Sequence, residues 1–274
     1  ARHRPGHARE AKEKGAQGET AAKVGEKTGT QLFPLSYSQW RLWYLDQFEP
    51  GSPAYNLSAV YRLKGDLRVD VMERALNEIV RRQASLRTSF PVVDSEPVQL
   101  VKKSLEIPLD VIDLSAITSE VKEQRARTIM REAIAEPFDL SKGPLIRARL
   151  YRLDIADHLL MVSMHHIISD AWSLDIFYQE LHQVYSAFLE GKPLPLQNLG
   201  SQYSDFAIWQ RDWMKGDRYS QQMSYWKGQL RELPVLELPI DYARPRVRTH
   251  HGARVSLTLT ERQTEAIQAL SRSL

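Results

Sequence analysis

Three observations predict an α/β fold. Strand-like and helix-like hydrophobic patterns alternate along the chain from Gln31 onward. One segment, His158–Met164, is apolar almost without interruption, as in a strand covered on both faces. The composition, 42% hydrophobic and 26% charged over 274 residues, is that of an ordinary soluble globular chain, with room for one large domain or two small ones.

Taken in order, residues 31–35 begin the ordered part, and Ser36–Leu45 has helical spacing with an aromatic stripe expected to face the core. That helix stops at the turn Glu49-Pro50-Gly51-Ser52-Pro53. A strand follows over Ala59–Leu63, then a helix over Val69–Gln83 with Val71, Ala75, Leu76, Ile79 and Val80 on one face. Next come a strand at Val98–Val101, a helix over Ser119–Ala135 and a strand over Ile146–Leu153. After the apolar strand, helical patterns run over Leu174–Leu189, from Tyr203, and near Ser220–Arg231. A proline-bearing connector, Leu233–Pro245, leads to an expected strand, Ala253–Leu259, and helix, Glu261–Leu270.

The net charge of +3 sits in one place. Residues 1–30 hold seven Lys/Arg against four Glu, which leaves 30 basic and 30 acidic residues in the remainder. The body has no basic surplus that would demand nucleic acid. The first 30 residues contain no aromatic and one Val, so they read as a linker or tail, the alternative being a basic arm that touches RNA or a membrane. No apolar run approaches the roughly 18 residues that span a bilayer. Cysteine is absent, which excludes disulfides, thiol catalysis and Cys-based metal sites and suits a reducing cytoplasm.

The chemistry concentrates in Met161–Ser173, MVSMHHIISDAWS. Neighbours on a strand point to opposite faces, so only one of His165 and His166 can look into a given cavity. Asp170 follows four residues later, and Ser173 is a plausible N-cap for the next helix. A histidine ending a buried strand is often just hydrogen-bonded core, and an Asp in such a loop often only holds the turn. Diverging histidines without a His-Glu-x-x-His pattern argue against a metal.

HHIISDAWS resembles the His-His-x-x-x-Asp-Gly motif of the chloramphenicol-acetyltransferase-like superfamily and, more narrowly, of condensation domains in nonribosomal peptide synthetases. Ala171 stands where the family has Gly, strained if that position needs positive φ and harmless if it needs only a small side chain. Three more segments carry the likeness. Ser36-x-x-Gln39-x-Arg41-Leu42-Trp43-x-Leu45 is similar to the family's first motif, and its continuation LDQFEPGSPAYN to domains that take an L-configured donor. Arg81–Phe90 resembles Arg-His-Glu-x-Leu-Arg-Thr-x-Phe but departs at Arg82 and Gln83. Tyr203–Trp209 resembles the fourth motif, with its aromatics expected mainly in the core.

The resemblance spans roughly residues 35–274 and implies a chloramphenicol-acetyltransferase-like two-layer sandwich lobe, truncated before most of the second lobe. It divides the chain into a tail (1–30), an N-terminal lobe (31–232), a connector (233–250) and the start of a C-terminal lobe (251–274), with an apolar patch on the exposed lobe face. The implied reaction is amide formation between a donor acyl or peptidyl thioester and an acceptor aminoacyl thioester on carrier proteins, with the fragment alone expected to be inactive. The motif makes His165, His166 and Asp170 the catalytic set. His166 takes or orients the amine proton, His165 supports the strand, and Asp170 fixes the loop. Relatives pair the motif Asp with an Arg; Arg87 is the first candidate here and Arg81 the second. No metal or bound cofactor is implied; phosphopantetheine rides on the donor and acceptor carriers, which with adjacent synthetase domains are the expected partners. A carrier-docking or partner-recruiting module, or an ester-forming or lipid-initiating acyltransferase, are the alternatives.

Overall fold

The computed structural model describes residues 23–25, 30–243, 245–246, 253 and 255–273. Most of the tail expected over residues 1–30 therefore lies outside the described residues. The short strand β1 (Lys23–Gly25) within it pairs antiparallel with β2 (Thr30–Pro34). The chain divides into two units, residues 1–230 and 231–274.

In the first unit, α1 (Tyr37–Phe48) leads to the strand β3 (Asn56–Lys64), and α2 (Val69–Arg82) runs into short strands β4 (Thr88–Ser89) and β5 (Val92–Val93). β6 (Glu96–Val101) and β7 (Leu109–Asp113) precede α3 (Ser119–Ile134), the hairpin β8 (Ile146–Asp154) and β9 (Asp157–His165), and α4 (Ala171–Leu189). Helices α5 (Tyr203–Trp213) and α6 (Asp217–Gln229) complete the unit. Two sheets form. One has the order β1-β2-β6-β4, with β5 on β6; the other has the order β3-β9-β8-β7, antiparallel except for the parallel pair β7–β8.

β9 is the central strand that its continuous apolar run predicts. Alternation splits its side chains between two clusters. Leu160, Val162 and Met164 meet Leu76 and Ile79 of α2 and Phe177, Leu181 and Val184 of α4. Leu159 and Met161, with Tyr151 of β8, meet Ala126, Met130 and Ala133 of α3. Helices thus hold β9 from both faces, and its last residues are delivered to one place.

α1 corrects an expectation. Most of its aromatics face outward, with Trp40 43% and Tyr44 53% exposed and their rings stacked at 5.6 Å, while Trp43 alone packs against the core. Leu42 and Gln39 take the inward positions, because Gln39 closes a capping box with Ser36 and bonds buried Gln99 at 3.0 Å. The aromatics of α5 are likewise outside the core: Phe206, Trp209 and Trp213 form an exposed ladder with centroids 5.7 and 6.0 Å apart. Both helices thus carry exposed aromatic side chains.

In the second unit, the described residues from 231 to 260 have no regular structure and α7 (Glu261–Ser273) ends it. The strand expected over Ala253–Leu259 does not form among the described residues there. A strand needs a neighbour to take its backbone hydrogen bonds, and this unit supplies none among its described residues.

Candidate functional site

The end of β9 separates the two histidines. His165 is 2% exposed, lies against the rings of Tyr55 and Phe138, and accepts the Ile167 N–H at Nδ1 (3.1 Å). Accepting there places its proton on Nε2 and keeps the ring neutral. Burial, with the neighbouring His166, pushes its pKa down to about 4. His166 leaves the strand, is exposed, and has its backbone N–H held by the Tyr55 carbonyl at 2.8 Å. Its Nδ1 lies 2.7 Å from the Ser169 carbonyl. A carbonyl only accepts, so Nδ1 carries the proton and the Nε2 lone pair is free to take another.

Asp170, not Ser173, is the N-cap of α4. Its Oδ1 accepts from the Ser173 backbone N–H (2.7 Å) and from the Ser173 hydroxyl (2.6 Å). Those two bonds, with the charge of nearby His166, hold the Asp170 carboxyl below the usual carboxylate range. Ala171 is the first helical residue and is not among the positive-φ positions, so Ala strains nothing where the family has Gly.

Neither arginine expected to pair with Asp170 does so. Arg87 donates instead to carbonyls of Val80 (3.1 Å), Lys102 and Lys103 (3.2 Å), fastening the end of α2 to the end of β6. Arg81 pairs with Glu78 at 2.7 Å. Among the described residues Asp170 has no arginine partner; its Oδ1 is held locally by Ser173. The two positions where the second motif departs from the family act together elsewhere. Arg82 (Nε, 3.3 Å) and Gln83 (Nε2, 3.2 Å) each donate to one oxygen of Glu180 on α4.

His166, Asp170 and Ser173 open onto a groove of ≈ 650 Å³ between α1, the end of α2, the start of α4 and residues 199–203. Ile79, Leu86, Ile176 and Phe177 give it an apolar wall, while Gln83, Glu180 and Gln202 make one end polar. The sequence reasoning missed Glu180, Gln202 and the Ser169 carbonyl. Glu180 was within reach: Asp170, Ser173, Phe177 and Glu180 fall on one helical face. Among the described residues no group of three or more His, Asp or Glu is arranged to hold a metal.

A family model described as Condensation domain matches residues 30–273. A linear gramicidin synthase of Brevibacillus parabrevis is 39% identical over 253 residues, which are 92% of this chain and 5% of that protein. The starter condensation domain of rhizomide synthetase RzmA shares the fold, with a TM-score of 0.67 at 24% identity over 74% of this chain and 48% of that one. A protein of the complex of the X-domain and OxyB from teicoplanin biosynthesis is 30% identical, with a TM-score of 0.69 over 80% of this chain and 48% of that one. This chain therefore spans about half of those solved chains and a small fraction of the synthase. With the match running from β2 to α7 and the His-His-x-x-x-Asp string standing at the mouth of the groove, the chain belongs to the condensation-domain family of nonribosomal peptide synthetases.

Proposed function

We propose that this chain carries the reacting-histidine part of a condensation domain that makes an amide from two carrier-bound thioesters, the donor acyl or peptidyl and L-configured at the reacting residue. The observation that carries the reading is His166, which lines the groove with its Nδ1 committed to the Ser169 carbonyl, leaving Nε2 as the nitrogen available to a substrate. The acceptor amine attacks the donor carbonyl carbon. A C–N bond forms, the surplus amine proton passes to Nε2 or is oriented by it, and the C–S bond breaks. The departing thiolate takes up a proton, so the imidazole returns to its starting state. Asp170 keeps the loop, and with it the imidazole, in place by capping α4. His165 supports the strand end. The phosphopantetheine arms belong to the donor and acceptor carrier proteins and enter as substrate. The matched solved chains are about twice as long as the span they share with this one, and the reading requires such a whole domain for activity, this span alone being inactive.

The deciding experiment is condensation by the full-length protein with loaded donor and acceptor carriers, wild type against His166→Ala. Product by mass spectrometry is expected to fall by about a hundredfold or more. An undiminished yield would remove His166 from the mechanism. A second reading, a partner-recruiting module, has in its favour the likeness to a protein of the complex of the X-domain and OxyB and the exposed aromatics of α1 and α5. Carriers that bind the wild type without any amide forming would establish it.

A further inference from the structure

We propose that the end of the groove remote from His166, lined by Gln83 and Glu180 with Arg82 paired to Glu180 beside it, binds amide N–H groups and selects peptidyl over fatty acyl thioesters. The inference rests on the proposed function in so far as a thioester-bound chain enters the groove.

Length is the first argument. Asp170 and Glu180 lie ten residues apart on the face of α4 that lines the groove, about 15 Å along the axis at 1.5 Å per residue. An extended peptide covers about 3.4 Å per residue, so a donor of about four residues reaches from the thioester to Glu180.

Chemistry is the second. Between the two ends α4 presents Ile176 and Phe177, while Gln39, Arg41 and Ser85 line the groove from other elements; at Glu180 the α4 wall turns polar, and its groups are already fixed. The Arg82 and Glu180 side chains are 13% and 14% exposed. Arg82 is anchored further by the Gln197 carbonyl, and Gln202 accepts from the Ala84 N–H (2.9 Å) while donating to the Arg82 carbonyl (3.2 Å). A carboxylate offers about four acceptor positions. Arg82 and Gln83 use two of them, leaving acceptor capacity in a residue that lines the groove. Arg82 already balances the charge, so the fitting partner is a neutral donor rather than a second cation. A peptide N–H supplies it. An alkyl chain of the same length would strip water from the pair and return no hydrogen bond, the situation in which polar sites discriminate most strongly.

The test compares two donors on the same carrier, a tetrapeptidyl thioester and a fatty acyl thioester of matching length, in the full-length protein. Selectivity is the ratio of their kcat/KM values with one acceptor. In the Arg82→Met/Glu180→Leu variant, which replaces the ion pair with apolar groups of similar volume, the ratio is expected to fall at least about tenfold. Gln83→Leu, which leaves no charge unpaired, is expected to lower it a few-fold and provides the reading if the double variant does not unfold cooperatively. A ratio that stays within about twofold of wild type in the folded variant overturns the proposal. So does an equal fall for both donors, since the common pantetheine arm, which also carries amides, would then be what the site reads. If the wild type makes no amide from either donor, the condensation reading fails on its own. The groove inference is then decided by equilibrium binding of non-hydrolysable analogues of the two donors, with the same tenfold criterion.

Discussion

His165 and His166 are consecutive residues with opposite surroundings. One lies dry between Tyr55 and Phe138, its ring nitrogen used by a backbone N–H; the other stands in the groove with a nitrogen left over. The difference follows from alternation at the end of a strand covered on both faces. It shows how one dipeptide can divide labour, with one ring as a packing element and the other, on the proposed reading, as a proton acceptor. The two rings have the same intrinsic chemistry, and the dielectric around each decides its use.

The sharpest way to break the comparison is to exchange the readouts. His166→Ala, expected to remove nearly all condensation, is expected to leave thermal stability within about 0.5 kcal/mol, as an exposed side chain away from the core does. A large loss of stability would show that both rings are structural. Next in size is acid sensitivity. An unfolded histidine titrates near 6.5 and folded His165 at about 4, so below 6.5 the unfolded state binds a proton that the folded state refuses. Stability is full above that pH and is lost as the pH falls through the window to about 4, by about 1.4 kcal/mol per unit and about 3 kcal/mol in all. Urea unfolding of wild type and His165→Phe at pH 7 and pH 4.5 checks this, and an unchanged pH slope in the variant would assign the loss elsewhere. Buried His158, whose pKa burial also lowers, adds to the slope in the same direction and remains in both proteins.

Smaller effects refine the loop between the rings. Asp170→Ala removes the cap and is expected to cost about 1 kcal/mol, with Asp170→Asn recovering most of it. Were an arginine the true partner, Asn would recover little. Smallest of all is Ala171→Gly. At a helical position of ordinary φ it is expected to lower stability by at most about 1 kcal/mol and to leave condensation as it is. A gain in stability would mean that Ala171 is strained after all.

The elements near the site were legible because their signals are local. The apolar run of β9 and the 3.6-residue patterns of α2 and α4 depend only on which faces are covered. What was not legible depends on distance or on competition. Asp170 and Ser173 are both good capping residues three positions apart, and the sequence does not rank them. Arg87 was assigned a carboxylate by analogy, yet four nearby carbonyls, of Val80, Arg81, Lys102 and Lys103, hold it. β7 was overlooked because Leu-Asp-Val-Ile-Asp is short and acid-bearing, and only its parallel partner β8 makes it a strand. The departure of Arg82 and Gln83 from the family motif was visible; its meaning needed Glu180, some hundred residues on, to be brought alongside.

The Gln202 side chain stands in for a peptide group, closing a ring with Ala84 and the Arg82 carbonyl as the next turn of a helix would. Its consequence is mechanical. The end of α2 and the start of α5 are riveted together, so the groove wall they form resists stretching. On the proposed reading, a chain of the wrong length then meets a gauge of set span, and misfit falls on the substrate rather than being absorbed by the protein.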